Sequence, residues 1–136
     1  MSVWLFSLGL ALMVACAQQS GGGAGQASLG QEFRLKAGRE AELKAARLKV
    51  RFASVSEDSR CPTGVDCIWA GNARVSLVVQ RAGGKQTTVE LNTNVEPKAV
   101  SADGYELALT NLDPYPQSGA KIDPKDYTAT LVVRQK

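Results

Sequence analysis

Short apolar–polar alternations between glycine and proline turns predict an all-β domain. Three observations carry that expectation. Apolar residues recur at every second position in several segments, as on strands buried on one face. Turn signals such as Gly83-Gly84 and Asp103-Gly104 separate these segments. Helix-forming composition is confined to residues 39–47. The architecture expected is an Ig-like antiparallel β-sandwich, and a small β-barrel satisfies the same alternation.

The elements follow in order. Phe33 and Leu35 form a first short apolar pair. Residues 39–47 (REAELKAAR) carry an i,i+4 Glu40–Lys44 pair but are too short for an isolated helix. They read as a short strand around residues 41–43 and a turn. Leu48, Val50 and Phe52 then alternate with Arg47, Lys49 and Arg51, the pattern of a half-buried strand. Ala73, Val75, Leu77 and Val79 point one way, and Arg74, Ser76 and Gln80 the other. Gly83-Gly84 reads as a hairpin turn into a strand over residues 85–91. Tyr105, Leu107 and Leu109 alternate after the Asp103-Gly104 turn, and residues 127–134 place Tyr127, Ala129, Leu131 and Val133 on one face. Between these two strands runs a long connection containing Asp113-Pro114-Tyr115-Pro116 and Ile122-Asp123-Pro124. It is expected to cross between sheets at one end of the sandwich. Tyr115-Pro116 is the bond considered for a cis form, although most X-Pro bonds are trans.

The chain has 136 residues, the size of one domain. Its apolar run from Val3 to Ala15 is shorter than the roughly 20 residues a membrane span needs. It matches the apolar core of a signal peptide, but no Lys or Arg precedes Trp4. Met13, Val14 and Ala15 lead directly into Cys16, and this arrangement resembles bacterial lipoproteins. The resemblance implies removal of residues 1–15, lipidation of Cys16 and, with Ala17 next, sorting to the outer membrane of a Gram-negative cell. A diacylglyceryl group plus an amide-linked palmitate-type chain suffices for stable anchoring. Residues 16–30 then comprise the lipidated cysteine and a flexible Gly/Ser/Gln linker with a reach of about 20 Å. Residues 31–136 form the sandwich.

Composition excludes several chemistries. The net charge of +3 is mild and the basic residues are scattered, so no nucleic-acid partner is expected. The chain has no histidine, which removes the usual general base and the usual zinc ligand. No catalytic residue, cofactor or metal site is expected. Glu57, Asp58 and Asp66 offer hard oxygens for calcium but lack EF-hand spacing. Asp113, Asp123 and Asp126 could supply a glycosidase carboxylate pair, but nothing suggests a cleft. Arg47, Lys49 and Arg51 should share one strand face. That stripe serves solubility and edge protection, or faces an anionic partner such as lipid A phosphates.

The second informative cluster surrounds the remaining cysteines. With Cys16 lipidated, Cys61 and Cys67 are left to pair in an oxidising envelope. So short a ring is worth roughly 2.5 kcal/mol on loop-closure arithmetic. The spacing is not C-x-x-C, which disfavours a redox role. The string D-S-R-C-P…C-x-W-A-G, residues 58–71, resembles a group of small bacterial envelope lipoproteins that brings no assigned chemistry. Asp58 can close an Asx-type turn, and Arg60 can pair with Asp58 or Asp66 or remain solvated. Trp69 is expected to pack over the disulfide; an exposed platform for a sugar or partner is the alternative. Asp58, Arg60, Trp69 and Tyr115 are the candidate recognition residues. The function expected is a non-enzymatic, lipid-anchored binding or scaffolding domain, held to the membrane by its N-terminal lipid and meeting an envelope protein or glycan. The alternative is a protease inhibitor or accessory subunit acting through the disulfide loop.

Overall fold

The computed structural model describes residues 25–136. The expected signal peptide, Cys16 and the linker up to residue 24 lie outside the described residues. Among the described residues no helix is long and apolar enough to cross a membrane.

The strands are β1 (Gly25–Gln26), β2 (Phe33–Lys36), β3 (Glu40–Leu43), β4 (Leu48–Asp58), β5 (Ala73–Arg81), β6 (Gln86–Asn92), β7 (Ala99–Ala102), β8 (Tyr105–Asp113) and β9 (Thr128–Gln135). They form one sheet ordered β1-β3-β4-β5-β6 and a second ordered β2-β9-β8-β7. The all-β sandwich is therefore as the alternation predicts, and it does not close into a barrel. Its strand order differs from the immunoglobulin pattern, which uses Greek-key connections. Here β3 to β6 and β7 to β9 are simple meanders. Short links between sequential strands suffice for this order, and periodicity alone cannot distinguish the two arrangements.

Alternation places the core as expected. Leu48, Val50 and Phe52 of β4, and Ala73, Val75, Leu77 and Val79 of β5, face Leu107 and Leu109 of β8 and Ala129, Leu131 and Val133 of β9 in one buried cluster. Residues 39–47 form β3 and a 3-10 turn, Lys44–Ala46, whose Ala46 is buried. The chain turns from β2 to β3 at a corner that serves both sheets. Ala37 N–H donates to Tyr127 O (2.9 Å) in one, and Gly38 N–H to Phe52 O (2.8 Å) in the other.

Two connections differ from the sequence reading. Asp113 pairs with Thr128, so residues 114–127 are a long excursion between neighbouring strands of one sheet. The crossings are made instead over residues 27–32 and near residues 37–39 and 93–98. The cis bonds are Glu96-Pro97 and Asp113-Pro114 rather than Tyr115-Pro116. At the N-terminus, Gly25 and Gln26 pair in parallel with Ala41 and Glu42. Ala27 N–H adds a bond to Glu42 O (3.0 Å), and Gly30 N–H one to Val133 O (2.7 Å). The sandwich thus includes residues 25–30, which the composition assigns to the linker. Only Ala27 and Leu29 of this segment pack against the core, too few apolar positions among Gly, Ser and Gln to mark it as a strand.

Strand direction sorts the connections by end. Loops 59–72, 93–98 and 114–127 gather at one end, called here the loop end. The β3–β4 turn and the β5–β6 and β7–β8 hairpins close the other, the base.

Candidate functional site

The loop end is built on a buried ion pair. Asp58 ends β4, and its Oδ1 accepts the Arg60 backbone N–H (3.3 Å), the expected Asx-type turn. That turn folds Arg60 back onto the same carboxylate. Nε donates to Oδ1 (2.8 Å) and Nη2 to Oδ2 (2.7 Å), a two-point fork of the kind guanidinium geometry favours. Arg60 is 5% exposed. Its remaining donors reach the end of β8 and the start of the third loop, Nη1 to Leu112 O (2.7 Å) and Nη2 to Pro114 O (3.0 Å). The guanidinium also lies over the Tyr115 ring, 5.2 Å from its centroid. Tyr127 closes the cluster by donating its hydroxyl to Asp58 Oδ2 (2.8 Å).

Burial alone pushes the Asp58 carboxyl up. Hydrogen bonds from Arg60 and Tyr127, with the Arg60 charge, outweigh it and hold the group below its ordinary value. Tyr127 is pushed up to about 12 by burial, by its hydrogen bond to Asp58 and by that negative charge. Both groups keep their usual ionisation near neutrality. Among the described residues no buried side-chain nitrogen or oxygen lacks a partner. Asp58 and Arg60 are thus satisfied internally. Their hydrogen bonds position the loops.

Further bonds tie the loops together. Ser59 N–H donates to Asn72 O (2.7 Å) and Cys61 N–H to Ala70 O (2.8 Å), so the first loop begins as a narrow ladder. Gly71 makes that approach possible: its φ is +73°, and a Cβ there would sit 1.9 Å from Ser59 O. Buried Asn72 donates Nδ2–H to Asn92 Oδ1 (2.8 Å), and its Oδ1 accepts Asn94 N–H (3.0 Å) from the second loop. Tyr115 Oη donates to Cys61 O (2.8 Å), and Thr63 N–H to Pro116 O (3.0 Å). Asn72, Asn92 and Tyr127 lie far apart in sequence, so no local signal announces them.

The Cys61–Cys67 disulfide is present. Trp69, however, is 61% exposed and does not pack into the core. The expectation of burial fails because the ring lies wholly within one loop, outside the sandwich, where no second sheet covers it. Ile68 is fully exposed beside it. Val65, Ile68, Trp69, Val95 and Tyr115 are the exposed large apolar side chains of the described chain. All of them lie in the three loops of this end. The sequence marks Trp69 and Tyr115 alone: Val65 and Ile68 read there as ordinary apolar residues that could be buried, and only the fold brings the loop of Val95 beside theirs.

No family model matches this chain, and neither a curated protein nor a solved structure proves similar to it.

The other candidate carboxylates do not converge on one site. Glu57 faces Arg74 (3.7 Å), and Asp66 is exposed without pairing to Arg60. Asp113 accepts from Arg34 (3.1 Å), and Asp123 caps the Pro124–Asp126 turn through Lys125 N–H (3.1 Å). No group of three potential metal-ligating residues occurs among the described residues.

Proposed function

We propose that this protein is a non-enzymatic binding module of the bacterial envelope, anchored through lipid on Cys16. In this reading its loop end recognises a partner protein. One observation supports it above others: every large exposed apolar side chain of the described residues sits on the three loops that Arg60 and Asn72 pin together. Apolar and aromatic anchors on a rigid scaffold are the usual energetic centre of a protein interface. Pre-fixed loops also lower the ordering cost of binding. The resemblance of residues 13–16 to a lipoprotein signal supports the envelope setting.

Affinity capture from envelope extract tests the reading. A specific partner should be retained by the native chain and lost with Ile68→Asp or Trp69→Asp. Equal retention by both variants would overturn it. Intact-mass analysis tests the anchor: the mature chain should lack residues 1–15 and carry acyl mass. Quenching of Trp69 fluorescence by sugars, without protein capture, would redirect the surface to glycans.

A second reading draws on Ile68 itself. A fully exposed aliphatic residue next to a disulfide, in a loop braced by the Cys61–Ala70 bond, also suits a protease-inhibitor or accessory-subunit role. Potency against a protease that disappears on reduction of the disulfide would favour it.

A further inference from the structure

The base of the sandwich carries a different chemistry. A cleft of about 340 Å³ opens there, lined by Glu42, Lys44, Arg47, Leu48, Lys49 and Arg81 among others. Four cations thus face one carboxylate over an apolar floor. Among the described residues Lys44, Arg47 and Arg81 enter no ion pair, and Lys49 meets Glu40 only at 4.0 Å. The β3–β4 turn supplies Lys44 and Arg47, and Arg81 ends β5 opposite Leu48. Uncompensated cations converging on one cleft favour an anion there.

We propose that this cleft docks on anionic phospholipid headgroups of the bilayer that holds the chain, an inference that rests on the lipid anchor proposed above. Two further observations commit it to that occupant. Gly25 enters the sheet beside Ala41, and the register partner of Gln26 is Glu42, itself part of the cleft wall. Only residues 17–24 separate Gly25 from Cys16, a length that spans at most about 30 Å. Gly25 lies level with Val50, about 7 Å along β4 from Leu48 but about 25 Å from Asp58. A tether of this length lets the base, the nearer end, reach the headgroups while the loop end faces away. The basic cleft contacts the membrane while Ile68 and Trp69 remain free for a partner.

Vesicle co-sedimentation of residues 17–136, which contain the whole described sandwich, tests the inference without the lipid. Binding to phosphatidylcholine vesicles containing phosphatidylglycerol should exceed binding to phosphatidylcholine alone by on the order of tenfold or more. Lys44→Glu with Arg81→Glu should abolish the difference. Arg47→Gly should reduce it about fivefold. That residue sits at φ +54°, where glycine is unstrained, so the variant keeps its fold. Lys121→Glu at the loop end should leave binding unchanged. Equal binding to both vesicle types would overturn the proposal, as would capture of free glycerol phosphate without vesicle selectivity. An unmodified Cys16 with preserved selectivity would sink the anchor alone.

Discussion

Replacing Arg60 by methionine should be the most damaging conservative change in the loop end. The substitution keeps an unbranched side chain but removes both bonds to Asp58 and those to Leu112 O and Pro114 O. Asp58 is then left with Tyr127 and its own turn, with its side chain only 12% exposed. Breaking a buried pair from one side costs about 3–5 kcal/mol, because the surviving charge stays buried. That is a large part of the roughly 5–15 kcal/mol that stabilises a domain, and corresponds to a Tm drop of roughly 15–20 °C. Urea unfolding followed by circular dichroism measures it. Asp58→Asn in the Arg60→Met background should recover about 2 kcal/mol relative to additivity, since it removes the stranded charge. The pH dependence should also invert. In the native chain the folded carboxyl is depressed, so Asp58 stabilises above the unfolded value near 3.9, and this is lost as pH falls through the folded value. Without Arg60, burial dominates and raises the folded value. Acidification from about pH 7 towards about pH 4 should then narrow the gap to the native protein. A loss below about 1 kcal/mol with no coupling to Asp58 would refute the view that this pair holds the loops.

Other outcomes follow from the same geometry. Gly71→Ala should prevent the close approach to Ser59 and either lower Tm by more than about 10 °C or abolish folding; an unchanged melting curve contradicts the ladder. Tyr127 has a folded value raised to about 12 against about 10 when unfolded. Its contribution is complete below about pH 10 and is lost as pH rises through about 12, amounting to roughly 2–3 kcal/mol. Tyr127→Phe should flatten that alkaline limb in denaturant titrations. Once residues 1–15 are removed, Trp69 is the sole tryptophan. Its emission should be red-shifted and readily quenched by acrylamide, and Trp69→Ala should change stability by less than about 0.5 kcal/mol. Blue-shifted, protected emission would contradict the exposed platform.

Much of this fold was legible because burial on one face writes a period of two into the chain. The inward residues of β4, β5, β8 and β9 follow that period until a β-bulge shifts it by one, placing Val55 in β4 and Leu112 in β8 on the core side. Strand partners did not follow, because β2–β9 pairing and the return of residues 114–127 depend on register between distant segments. The site was half legible. The Asx-type turn at Asp58 is local chemistry and could be read directly. Arg60 had several possible partners in sequence, and its choice was settled by carbonyls more than fifty residues away. Trp69 misled because disulfide-bearing sandwiches usually bridge their sheets, whereas this ring closes inside a single loop.

The central claim is that the loop end, and not the base, recognises the protein partner. Site-specific photocrosslinking in cells tests it most directly, with the crosslinker at position 68 and, separately, at position 85 in the basal hairpin. A discrete protein adduct should form from position 68, vanish with Trp69→Asp, and be absent from position 85. Adducts from position 85 alone, or from position 68 insensitive to Trp69→Asp, would contradict the account.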